Sequence, residues 1–342
     1  MSDQPPYPDQ PPHPDQPPHP APHPGQAPYP GQAPYPGQAP YPGQVLYPGQ
    51  PPYGWYQPAG YGLNPADPLV TPPGTGLGGW FARCVGAASR SWRLLLPILV
   101  LTQVLPLAML SVLTLAVDPS ARWDAEIASD STLPATFWTD LSVLLLVVVG
   151  GSLIFGLVQC LGWAAGTWVI ARQAVGEPAS FGAALRYGLR RALGLWGWML
   201  IFTLIVAIGF CLCFLPGIYA GFALAMAGPV YLFERQDPIG RSHRMLRARL
   251  GLLLGRVALV AAAAIGVSLV AGVIESVAIM PFGSTPLTSA GTAVGVVLTI
   301  SVAALLALPA HLAQLVGLVV TYAEQRAHEG PVNAGQLAAE LG

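Results

Sequence analysis

The chain has 342 residues, of which 53% are hydrophobic and only 9% charged, with a formal net charge of -1. Soluble domains average about 25% charged residues, so this composition excludes an ordinary soluble domain and specifies a membrane protein. All 15 basic residues are arginine, and with the richness in alanine, glycine and proline this points to a bacterial source with GC-biased codons.

Residues 1 to 77 form a low-complexity tail with a six-residue period, PPYPDQ, PPHPDQ, APHPGQ and three copies of APYPGQ among its units. Alternating prolines remove backbone donors and favour polyproline II, and Gly and Gln leave nothing to bury, so the tail is predicted to be disordered. Tyr29, Tyr35, Tyr41, Tyr47 and Tyr53 recur at fixed spacing. They read either as aromatic groups for weak multivalent contacts with protein partners or as parts of an inert, solvated tether. His13, His19 and His23 read as drift from Tyr within the repeat rather than as a metal site. No apolar run precedes residue 94, so no cleaved signal peptide is expected and the first span serves as the targeting signal.

From Trp80 the pattern changes. Arg83, Arg90 and Arg93 alternate with Trp80, Phe81 and Trp92, as in an interfacial helix feeding a membrane span. Six spans are predicted, over about 94–117, 141–174, 193–214, 218–233, 250–277 and 292–322; the first is long enough for a hydrocarbon core of about 30 Å, the second is longer than a perpendicular span needs, and the fourth, which contains Pro229, is short. Pro97 and Pro106 should bend the first span, and Pro309 should break or kink the sixth. Between spans one and two lies an acidic polar loop with Asp118, Asp124, Glu126, Asp130 and Asp140. Gly162 and Gly166 form a GxxxG, read as a packing feature. Leu215-Pro216-Gly217 is predicted to be the tight, uncharged turn between spans three and four. A polar C-terminal tail, residues 328–342, carries a short helix after Asn333.

With the N-terminus placed in the cytoplasm, every arginine except Arg122 falls on the inner side, which favours both termini inside. Arg90-Ser91-Trp92-Arg93, FGAALRYGLRRAL and Arg241-Ser242-His243-Arg244 stand in equivalent positions before spans one, three and five. The fold class read from this is an all-α polytopic membrane protein of the bacterial cytoplasmic membrane. Its six helices, residues 78–327, form three hairpins, each preceded by a basic interfacial helix and all following the disordered tail.

Leu215-Pro216-Gly217-Ile218-Tyr219, the apolar run to Glu234, the Arg241-Ser242 helix and Glu329-Gly330 resemble the glycerophosphoryl diester phosphodiesterase membrane domain over residues 78–330. Gly240 directly before Arg241 departs from that pattern by shortening the link. The resemblance implies a fold and not the activity in the family's name. In such enzymes an attached soluble barrel does the chemistry, and neither the tail nor the residues after Gly330 supply the roughly 250 residues of a barrel.

The chemistry-bearing residues are few. Cys84, Cys160, Cys211 and Cys213 lack metal-ligand spacing, and no nucleophile elbow, phosphate loop or paired carboxylates are present. No catalytic residue, cofactor, metal or nucleic-acid partner is therefore expected, and the chain reads as non-enzymatic. Arg90, Arg93, Arg186, Arg190, Arg191, Arg241, Arg244, Arg247 and Arg249 are candidate contacts for anionic lipid headgroups, at roughly 1 kcal/mol each, although the positive-inside pattern alone also accounts for them. Glu275 and His311 are the candidate intramembrane polar site. Glu275 is open to cation or amine binding or to simple hydration at the interface. His311 is open to proton relay or to a hydrogen bond with a carbonyl freed by Pro309. Gln103, Gln159 and Gln314 read as polar packing between helices. The leading expectation is a membrane scaffold or tether acting through its tail. The alternative is a transporter or lipid-handling protein with a polar cavity near Glu275 and His311.

Overall fold

The computed structural model describes residues 64–130, 133–283, 286–287 and 289–342. The repeat part of the tail, to residue 63, lies outside the described residues, and so does the expectation that it is disordered. Residues 64–75, which the sequence assigned to the same tail, are part of the folded domain: Asp67, Leu69, Val70, Thr71 and Pro72 are buried. The boundary drawn at residue 77 was too late because these few apolar residues follow a long polar repeat and carry no periodicity of their own.

Among the described residues all regular structure is helical, and six helical stretches are long and apolar enough to cross a membrane. The first is α1 (Gly76–Leu99), which continues through a π-helical segment, Val100–Val104, into α2 (Leu105–Val117). The widened turn lies between Pro97 and Pro106, whose missing donors disturb the regular ladder on either side. The arginines at 83, 90 and 93 therefore lie in the opening turns of the first long helix and not on a helix of their own. The acidic loop is also more ordered than expected: α3 (Ser120–Asp130) occupies it, and Arg122 pairs with Asp140 at 3.2 Å.

The second stretch is α4 (Phe137–Ala174) and the third α5 (Phe181–Leu212). Ser180 caps α5, its hydroxyl accepting from the Ala183 N–H at 3.3 Å. The fourth is α6 (Phe214–Leu224) with α7 (Ala227–Glu234). The chain reverses at Cys213, the one extended residue between α5 and α6, so Leu215-Pro216-Gly217 is the first turn of α6 and not the turn itself. Proline fits there because the first helical N–H groups need no partner. A Cβ on Gly209 would stand 2.9 Å from the Gly217 Cα, so the crossing next to the reversal requires a bare backbone.

The arginine-rich α8 (Pro238–Ala248) precedes the fifth stretch, α9 (Leu250–Ile279), and is separated from it by non-helical Arg249. The sixth consists of α10 (Ala290–Leu306) and α11 (Leu308–Glu329), broken at Ala307 with Pro309 in the first turn of α11. The C-terminal α12 (Ala334–Leu341) carries a full capping box between Asn333 and Gln336. It is no free tail: Ala334, Leu337, Ala338 and Leu341 are buried against α4 and α7.

The helices close a ring. α4 packs between α1 and α5, α5 on α6, α9 on both α10 and α11, and α11 back on α1, while α6 and α9 meet only thinly. Close approach is again set by small residues. A Cβ on Gly162 would strike Thr102, one on Gly166 would strike Leu315, and one on Gly188 would stand 2.6 Å from the Leu161 carbonyl. The main core occupies the end of the ring that carries α8 and α12, uniting Trp80, Leu95, Ile170, Met226, Met245, Leu253 and Tyr322. Toward the other end only a small cluster of Val104, Ala108, Val296, Ile300 and Ala304 is buried. There Leu146, Ile154, Leu204, Leu269 and Leu298 are exposed, a surface suited to hydrocarbon rather than to water.

Candidate functional site

The polar side chains gather at the densely packed end. α7 stops at Glu234 because Arg235 adopts the left-handed conformation at φ 55°. Asp237 then caps α8, its carboxylate accepting from the N–H groups of Ile239 and Gly240, each at 3.1 Å. This tight corner places Arg241 opposite Glu234, to which its Nε donates at 2.8 Å, while Nη1 donates to Glu329 of α11 at 2.9 Å. The hydrogen bonds to Glu329 and then Glu234 hold the Arg241 guanidinium above arginine's ordinary pKa despite its burial. Arg326 donates to Glu340 of α12 at 2.8 Å and to the Tyr322 hydroxyl at 2.7 Å. The Tyr322 hydroxyl in turn donates to Glu234 at 3.0 Å, and its ring stacks on Phe233 with centroids 4.9 Å apart. Arg235 donates to the carbonyls of Glu340 and Leu341, where cationic groups suit a helix C-terminus. α7, α8, α11 and α12 are thus joined by one charge network.

Deeper in the ring, Arg256 of α9 and Glu324 of α11 form a two-pronged ion pair, Nε to Oε2 at 3.0 Å and Nη2 to Oε1 at 3.1 Å. Their residues are 7% and 2% exposed, so neither charge is screened by water. The Arg256 guanidinium also lies over the Trp80 ring at 5.4 Å, and the Trp80 indole donates to Thr321 at 3.0 Å. Residues near the two ends of the described chain also meet. One oxygen of Asp67 accepts from the N–H groups of Leu69 at 2.9 Å and Val70 at 2.7 Å, and the other accepts from the Ala334 N–H at 2.8 Å, in the first turn of α12.

Between α4, α5, α6, α7, α9 and α11 lies a cavity of about 620 Å³. Its wall is mostly aliphatic and aromatic and includes no ionisable carboxylate, arginine or histidine. Among its polar wall groups, the Trp196 indole donates to the Leu153 carbonyl at 3.1 Å and the Thr167 hydroxyl to the Trp163 carbonyl at 2.9 Å. The Gln103 amide donates to the Gln159 backbone carbonyl at 3.0 Å, which is the interhelical polar packing expected of it.

The residues singled out from sequence fall into three groups. Among the candidates for lipid headgroups, Arg90 is exposed and donates to the Pro68 carbonyl at 2.9 Å, and Arg241 is engaged by two carboxylates. Arg93, Arg186, Arg190, Arg244, Arg247 and Arg249 are exposed and Arg191 is half-buried. Glu275 and His311 are both half-buried, on α9 and α11, and neither lines the cavity. The cavity is lined instead by Gln159 and by Gln314, one turn beyond His311 on α11. Sequence reading overlooked Asp67, Arg256, Glu324 and Glu340 as partners. Arg256 was the available signal: an arginine six residues into the apolar run of α9 needs a countercharge.

Compared with protein-family models, with curated proteins and with solved structures, the chain finds no match.

Proposed function

We propose that this chain is a non-enzymatic scaffold of a bacterial cytoplasmic membrane, with both termini in the cytoplasm and the repeat tail recruiting partners by weak multivalent contacts. In this reading the six stretches pair as three hairpins of the kind found in the glycerophosphoryl diester phosphodiesterase membrane domain. The arginine-rich segments at 83–93, 186–191 and 241–249 flank the inner leaflet, where the free guanidinium groups meet anionic headgroups. The observation that carries the reading is the clamp at residues 67–72. A repeat tail that leaves the domain from a buried, hydrogen-bonded root is held at one fixed point, which is what a tether requires.

Deletion of residues 1–63 leaves that root in place, so membrane insertion should persist. Lateral diffusion of the tagged protein in the native membrane should then rise. It should rise by stages as Tyr29, Tyr35, Tyr41, Tyr47 and Tyr53 are changed to Ser. Diffusion unchanged by the deletion would refute recruitment by the tail. Cysteines introduced at Asp124 and Asn333 test the orientation: an impermeant reagent outside the cell should modify the first and not the second.

The cavity favours a second reading, lipid handling within the bilayer. Its wall carries no charged side chain and is formed by α4, α5, α6, α7, α9 and α11, without Glu275 or His311.

A further inference from the structure

Gln159 and Gln314 are half-buried and stand far along their helices from the charged end of the bundle. Gln159 lies thirteen residues, or about 20 Å of helix, from Arg172 on α4, and Gln314 lies ten residues, or about 15 Å, from Glu324 on α11. Both line the cavity, and neither side-chain amide has a hydrogen-bond partner among the described residues. The nearby polar groups of Gln103, Thr167 and Trp196 each have one. At hydrocarbon depth no water substitutes for a missing partner, so two unengaged amides on one chamber wall are costly unless something within the chamber engages them.

The chamber also limits what that occupant is. No charged side chain lines it, so an ionic headgroup would enter without a countercharge. At about 620 Å³ the cavity has room for one long alkyl chain with a small head. Each amide offers both a donor and an acceptor, the complement of a hydroxyl. Trp163, Trp196, Met199 and Phe202 supply an apolar wall. We propose that the cavity is a binding site for a single-chain, uncharged lipid with a hydroxyl head, which hydrogen-bonds to Gln159 and Gln314 while its chain lies among α4, α5 and α9. This deepens the lipid-handling reading and rests on it only for what the bound lipid is used for.

Two glycines make the site testable without disturbing the fold. A Cβ on Gly221 meets nothing within 4 Å, and one on Gly228 meets only Leu195 Cδ1 at 4.0 Å, and both residues line the chamber. Larger side chains there fill the space and also favour the helix. The full chain in nanodiscs is titrated with tritiated oleyl alcohol and competed with unlabelled oleyl alcohol, 1-octadecene or oleyl sulfate. Saturable binding of about one alcohol per chain is expected, with strong competition by the alcohol, competition weakened about tenfold for octadecene, and none by the sulfate. Gly221→Phe and Gly228→Leu should each abolish saturable binding without lowering the thermal midpoint. Gln159→Leu combined with Gln314→Leu should erase the preference for alcohol over octadecene. Non-saturable uptake that is the same in wild type and Gly221→Phe, or equal competition by the sulfate, overturns the site. Binding without accelerated transfer of oleyl alcohol between vesicles leaves the site standing and refutes handling. Transfer that survives Gly221→Phe refutes the site and leaves handling intact.

Discussion

Replacing Arg256 by Met leaves Glu324, a residue 2% exposed in the intact protein, without its two guanidinium hydrogen bonds. Stranding one member of a buried pair costs about 3–5 kcal/mol, and loss of the contact with Trp80 at 5.4 Å adds roughly 0.5–2 kcal/mol. The single variant should therefore lose about 3.5–7 kcal/mol. Changing Glu324 to Leu in the same chain removes the stranded charge, and the double variant should recover most of that loss, because apolar groups of similar volume often replace a buried pair at no cost. A double-mutant cycle measured by detergent unfolding in mixed micelles, followed by tryptophan fluorescence, should give a coupling of at least about 3 kcal/mol. Burial shields the pair from ions, so the coupling should be the same at low salt and at 1 M. The exposed Arg122–Asp140 pair, with the Arg122 side chain 63% exposed, should show little coupling and lose it in salt. A coupling for Arg256–Glu324 below about 1 kcal/mol, or one that collapses in salt, would refute the claim that α9 and α11 join through a dehydrated contact.

Asp67→Ala removes the acceptor of three N–H groups and should cost about 1–3 kcal/mol, with hydrogen exchange accelerating together at residues 69–71 and 334–341; exchange confined to residues 69–71 would contradict the clamp. Gly209→Ala should lower the thermal midpoint because its Cβ meets the backbone of Gly217 and Pro216, whereas Gly197→Ala, which meets nothing within 4 Å, should raise it through helix propensity of up to about 1 kcal/mol. Arg241 has its pKa raised in the folded chain, so its stabilisation is complete below arginine's ordinary pKa and declines only as pH rises through the still higher folded value. The loss of stability in Arg241→Gln should thus be constant between pH 7 and pH 10, and a loss that shrinks as pH rises through that interval would show that another group carries the effect.

The spans were legible because a run of about 20 apolar residues is an absolute signal, needing no partner to interpret it. Proline positions also carried over, since Pro97, Pro106 and Pro309 each mark a disturbed ladder. The pairing of charges was not legible: Glu234 and Tyr322 meet across 88 residues of sequence, and each looked like an ordinary marker of a span end. Asp67 looked like part of the polar tail because its partner, the Ala334 N–H, is invisible in composition. The cavity escaped for a different reason. Its polar groups are neutral glutamines, which sequence alone reads as packing, and attention went to the ionisable Glu275 and His311 instead.

The bond from Asp67 to Ala334 also sets an order of events. The acceptor precedes the donor by 267 residues, so synthesis makes the first half of this contact long before the second. Until α12 leaves the ribosome, Asp67 lacks its partner at Ala334, and the root of the tail is held only by its own turn. Closure of that bond therefore certifies that all six stretches have been made, and a chain truncated before residue 334 would expose this junction to membrane proteases.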